Sequence, residues 1–202
     1  LSPKDGLELL ISNNEVLQTK IKEEPIKEVV LFLENVSSIY FKECQALFEK
    51  LENSFLADRI LEQNLTLLSI SLRVFNHLNR NKTKQLIKLL DKDELQSKLT
   101  TTSLQAIKSL LFALKEVDFQ LSKHLLSLIT DEQFQEKIEK ADLLSIAESL
   151  EYLSKIDNPR ISKIAKEINN ELITYKIDNE DFTFQQFGNA MSKLIVFDFD
   201  KF

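Results

Sequence analysis

The chain has 202 residues, 43% of them hydrophobic, with two glycines, three prolines, one cysteine and a formal net charge of −6. That length and apolar content suffice for a sizeable core, while the scarcity of turn-forming residues excludes a hairpin-rich β fold. Acids and bases are intermixed, which suits solubility better than a polyanionic partner, and the lone Cys44 excludes an internal disulfide.

No run of about 18 apolar residues offers a membrane span. The opening LSPKDG lacks the charged-then-apolar order of a signal peptide, so a cytoplasmic piece of a longer protein is the expectation.

In chain order, one pattern recurs every 39 residues without a gap. An apolar residue closes each copy: Ile21, Ile60, Leu99, Ile138 and Ile177. The copies are 22–60, 61–99, 100–138 and 139–177, with a partial repeat at 1–21 and another at 178–202. The first helix of each copy is predicted to open after a capping residue: Asn64, Ser103, Asp142 and Asp181. Pro25 occupies this column in the first copy as a first-turn proline after Glu24. Apolar residues follow at intervals of three and four, as in Ile26, Val29, Leu33, Val36 and Ile39, and again in Leu104, Ile107, Leu111, Leu114 and Val117.

Short turns at Asn79, Asp118 and Asp157-Asn158-Pro159 then lead into a second helix. Its buried positions are Leu47, Phe48 and Leu51, with Leu86, Ile87 and Leu90, and Leu125, Leu126 and Ile129, as equivalents. A brief third segment follows, opened by the capping spacings Asp91-x-x-Glu94 and Thr130-x-x-Gln133. Two helices and a short third cannot enclose a core alone, but stacked copies can. The expected fold is all-α: an α-solenoid of about four repeats, a superhelix of the HEAT and TPR kind, forming a single domain over 1–202.

The text FQEKIEKADLLSIAESLEYLSKIDNPRISKIAKEI, from Phe134 to Ile168, and LITYKIDNEDFTFQQFGNAMSKL, from Leu172 to Leu194, resembles helical repeats C-terminal to the ATPase module of archaeal and bacterial STAND-type NTPases. That resemblance implies the target-sensing or scaffolding arm of a larger switch protein, one used in defence. A phosphate-binding G-x-x-x-x-G-K-[ST] stretch is absent, so the ATPase itself is not in this chain.

Two sets of cations stand out. Lys20, Arg59, Lys98, Lys137 and Lys176 share one column, where each complements the C-terminal end of its own helix or tracks an acidic partner. The second helices concentrate Arg73, Arg80, Lys82, Lys84, Lys88 and Lys92, joined by Lys123, Arg160, Lys163 and Lys166. Arg80, Lys84, Lys88, Lys123 and Lys163 are therefore the predicted partner-binding residues. No aromatic stacking platforms interleave with them, and Glu43 and Glu49 break the stripe, so a protein-binding face is favoured over a nucleic-acid site.

No catalytic, cofactor or metal site is predicted. His77 and His124 sit in different columns without metal-ligand spacing, and Ser122 with His124 has no orienting third group. Cys44 aligns with Thr83, Ser122 and Ile161, which reads as a small packing position. Asp178, Asn179, Glu180 and Asp181 lack the glycine of a calcium loop and read as a turn and cap. In the C-terminal tail, Phe197 aligns with Phe41 and Phe119, whereas Phe199 and Phe202 have no equivalent. The expected function is non-enzymatic protein binding or target sensing, with nucleic-acid binding as the alternative.

Overall fold

A computed structural model describes residues 14–197. Among them are fourteen α-helices and no strand, so the protein is all-α. Helix α1 (Asn14–Glu23) precedes four three-helix repeats: α2 (Ile26–Ser37), α3 (Phe41–Lys50) and α4 (Asn53–Leu61); α5 (Leu65–Leu78), α6 (Arg80–Ile87) and α7 (Lys92–Thr101); α8 (Leu104–Val117), α9 (Phe119–Ser127) and α10 (Asp131–Lys140); α11 (Leu143–Ser154), α12 (Asn158–Glu167) and α13 (Asn170–Asn179). Helix α14 (Phe184–Leu194) follows. First helices start at 26, 65, 104 and 143, second helices at 41, 80, 119 and 158, and third helices at 14, 53, 92, 131 and 170, all 39 apart. The third element is not brief: at nine or ten residues it equals or exceeds the second helix in three of the four repeats and is one residue shorter in the first. Its thin apolar stripe, two buried residues such as Leu95 and Leu99, understates its length in sequence.

Side-chain caps set the starts. Asn64, Ser103 and Asp142 accept from the amides of Leu67, Ala106 and Ser145. Asn79 and Asp118 each end a first helix and cap the second, accepting from Lys82 and Leu121, and Asp157 caps its second helix through Arg160. Thr130 and Gln133 form a reciprocal capping box, while Asp91 accepts from the amides of Asp93 and Glu94. Two predicted caps move. Pro25 is the N-cap itself, one residue earlier than a first-turn proline. Asp181 caps nothing, because Thr183 and Gln186 form a box that satisfies two groups reciprocally and starts α14 at Phe184.

The later start changes the register. With an offset of 41, Phe184, Phe187, Met191, Leu194 and Phe197 fall in the columns of Leu143, Ile146, Leu150, Leu153 and Ile156. Phe197 is accordingly buried like Ile156, and its alignment with Phe41 and Phe119 is superseded. Phe199 and Phe202 lie outside the described residues.

The chain divides into two compact units at Leu95/Gln96, within α7. In the first, α2 packs on α3 and α5, α4 packs on α6, and Phe48 stacks on Phe75 at 4.8 Å. In the second, α8 packs on α9 and α11, and α11 on α12 and α14. Lys108 pairs with Glu148 at 2.9 Å, and Phe112 meets Tyr152 edge-on at 5.1 Å. The predicted second-helix residues and the Cys44, Thr83, Ser122 and Ile161 column are all buried. Ile39 departs from its stripe. Two residues past the end of its helix it is 68% exposed, whereas Leu78, Val117 and Ile156, the last equally two residues past its helix, are buried. Among the described residues, no helix is long and apolar enough to cross a membrane.

Candidate partner-binding surface

Several of the cations singled out in the sequence act between repeats. In the third-helix column, Arg59 donates to the Lys22 carbonyl at 3.1 Å. Lys137 Nζ donates to the carbonyls of Thr100 at 2.9 Å and Thr102 at 2.6 Å, and Lys176 Nζ to those of Glu139 at 3.1 Å and Ala141. Each cation thus satisfies orphan carbonyls at the end of the third helix one repeat earlier. Complementing its own helix, as the sequence suggested, is not the main contact. Lys98 lies half-buried in this column and Lys20 is exposed. Glu180 supplies the opposite charge, accepting from the Leu143 amide at 2.9 Å at the start of α11.

The second helices use the same device. Lys82 Nζ reaches the carbonyls of Glu49 at 3.1 Å and Leu51 at 2.5 Å, with its ammonium 5.4 Å from the Phe48 ring centroid. Arg160, two repeats later in the same column, donates to the carbonyls of Leu126 at 2.5 Å and Ile129, pairs with Asp131 at 3.0 Å, and lies over the Phe134 ring. Burial lowers the Lys82 and Lys137 pKa values. The Arg160 hydrogen bond, opposed by partial burial, holds the Asp131 carboxyl below its ordinary value.

Removing Lys82 and Arg160 from the surface thins the predicted basic face. Arg80 and Lys84 are exposed on α6 and Lys88 just beyond it, at intervals of four that place them on one side. Lys123 is exposed on α9. Lys163, exposed on α12, is countered by Asp131 at 3.3 Å and Glu167 at 3.7 Å, and hydrogen bonding to Asp131 raises its pKa. Arg80 and Lys84 of α6, with Lys88 at its C-terminal cap, therefore form an accessible basic strip in the first unit, and Lys123 with the paired Lys163 lies in the second.

The remaining candidates lie on the surface or in the packed interior. Phe41 meets exposed His77 edge-on at 5.2 Å, and His124 is exposed. Burial, with Glu43 adding, pushes the Cys44 thiol up to about 11, so it is not a thiolate near neutral pH. Ser122 Oγ donates to the Leu111 carbonyl at 2.7 Å, eleven residues back, and is fully buried. A cleft of about 600 Å³ is bordered by Thr102, Ser103, Lys137, Lys140 and Asp142, but the Lys137 ammonium is turned onto backbone and Lys140 pairs with Glu136.

The carbonyl clamps were missed in sequence because their partners lie 31 to 37 residues back. The usable signal was a cation beside a buried column residue, recurring at the repeat period. No family model matches the chain, and no curated protein or solved structure does so either.

Proposed function

We propose that this chain is a non-enzymatic helical-repeat module that binds another protein, or another part of its parent chain, as the sensing or scaffolding arm of a larger cytoplasmic switch protein of the STAND NTPase type. The observation that carries the reading is the repeat itself: four copies with identical helix starts, whose semi-buried cations hold one repeat to the next. Such construction leaves extended rows of exposed side chains as the working surface, the usual role of helical repeats. Deleting residues 22–177 from the full-length protein abolishes partner retention on this reading; retention of all binding by the deletion refutes it.

Nucleic-acid binding is the second reading, and the strip of Arg80 and Lys84 on α6 with Lys88 at its cap favours it locally. It requires affinity that falls steeply with salt and is lost on Lys84→Glu with Lys88→Glu. Diversion of Lys82 and Arg160 to backbone carbonyls, and pairing of Lys163, weigh against a continuous phosphate track.

A further inference from the structure

Helix α6 and its cap carry a line of cations that the fold does not use. Arg80, Lys84 and Lys88 recur at intervals of four and are all exposed, and the cap Lys88 keeps helical dihedrals, so the three share one side. At the rise of an α-helix they stand about 6 Å apart and span about 12 Å. Among the described residues none of the three is paired with a carboxylate. The acids that could reach them are engaged elsewhere. Asp91, three residues beyond Lys88, accepts from the amides of Asp93 and Glu94, and Glu49, which reaches the start of α6, accepts from the Asn79 side chain.

Helix chemistry favours other residues here. Arg80 is the first residue of α6, at the positive end of the helix, where a cation is unfavourable, and like charges four apart repel. The repeat does not require them either. Arg80 stands where the other copies have Phe41, Phe119 and Asn158, and only this copy carries a cation in all three columns. Lys82 on the same helix shows the contrast, because its ammonium is committed to the carbonyls of Glu49 and Leu51. Local rules broken without a compensating contact inside the fold mark a surface kept for a partner.

The length of the strip selects that partner. A nucleic-acid strand calls for a longer run of cations and for aromatic platforms, and the preceding copy opposes such a run with Glu49 in the Lys88 column. Glutamates four apart on a helix repeat the same pitch of about 6 Å with the opposite sign. Leu89, 55% exposed and next to Lys88, offers an apolar contact at one end.

We infer that Arg80, Lys84 and Lys88 dock an acidic helix of a partner protein, with three carboxylates at intervals of four facing the three cations. This deepens the binding-module reading and rests on it.

The test uses a synthetic alanine-based helix with glutamates at intervals of four, titrated by fluorescence anisotropy against the full chain. A peptide of the same composition with its glutamates distributed round the helix, and a single-stranded oligonucleotide, serve as controls. Tightest binding of the patterned peptide, weakening as salt rises, is expected. Lys84→Glu with Lys88→Glu weakens it at least about tenfold, whereas Lys27→Glu, on the exposed side of α2, leaves it unchanged. Arg80→Gln weakens binding without lowering the thermal midpoint, because the cation does not serve its own helix. Equal binding of the redistributed peptide, indifference to Lys84→Glu with Lys88→Glu, or a midpoint lowered by Arg80→Gln overturns the inference. So does an oligonucleotide that binds more tightly through the same residues, since the strip then reads phosphate. Deletion of 22–177 abolishing partner retention while Lys84→Glu with Lys88→Glu leaves it intact sinks this inference and keeps the broader reading.

Discussion

Lys137 and Thr102 are 35 residues apart in the chain, yet the Nζ of one donates to the carbonyl oxygen of the other at 2.6 Å. Two consecutive third helices are thereby joined by one side chain, whose stem is buried and whose charge sits at the negative end of the preceding helix. Lys176 repeats the relation one copy later. A buried lysine at such a place contributes through hydrogen bonds to groups that otherwise lack partners.

Lys137→Met keeps the apolar stem and leaves the Thr100 and Thr102 carbonyls unpaired. It should lower stability by about 1–3 kcal/mol in urea unfolding. Lys140→Met, which removes an exposed pair with Glu136, should leave the midpoint unchanged. Equal effects of the two substitutions would show that the clamp contributes nothing.

Capping separates the observed start of α14 from the one read in sequence. Thr183→Ala should cost about 1 kcal/mol, as should Asp118→Ala, which ends one helix and starts the next. Asp181→Ala should be neutral. Thermal unfolding of the three variants checks this, and a larger loss for Asp181 than for Thr183 would reverse the assignment.

Acid should loosen the second unit. Hydrogen bonds from Arg160, then Lys163, hold Asp131 below its ordinary pKa, and those from Lys193, then Lys155, do the same for Glu151. With depressed folded values the unfolded chain binds more protons, so this stability is complete above the ordinary carboxylate range. It is lost as pH falls below about 4, through the folded values. Asp131→Asn should flatten the pH dependence of the unfolding midpoint below that point; an unchanged slope would show that the pair is not linked to folding.

Cys44 should resist a thiol reagent in the native state at pH 8 and react on denaturation, because burial pushes its pKa up to about 11 and leaves it no exposed surface. Cys44→Ser should fold, since Thr83 and Ser122 already occupy this buried column with their hydroxyls bonded to backbone carbonyls. Rapid native labelling by Ellman's reagent would contradict the packing role.

Local chemistry made much of the fold legible. The interval of 39 residues and the caps Asn64, Ser103, Asp118 and Asp142 depend on contacts within four residues, which a linear chain displays directly. The same holds for the apolar stripes, apart from Ile39, which is exposed where Leu78, Val117 and Ile156 are buried. Of the predicted binding residues, Arg80, Lys84, Lys88, Lys123 and Lys163 are exposed as expected. The sequence could not separate them from Lys82 and Arg160, which carry the same charge in the same helices.

By itself, then, the sequence determined an all-α protein of four equal repeats, because hydrophobic period and capping are properties of neighbouring residues. Only the tertiary structure decided which cations serve the fold and which face solvent, and that Phe184 stands uncovered where Leu143 is buried. Those outcomes depend on which helix end lies within reach of a side chain about 35 residues away, and on a two-residue delay before α14, neither of which a repeat period encodes.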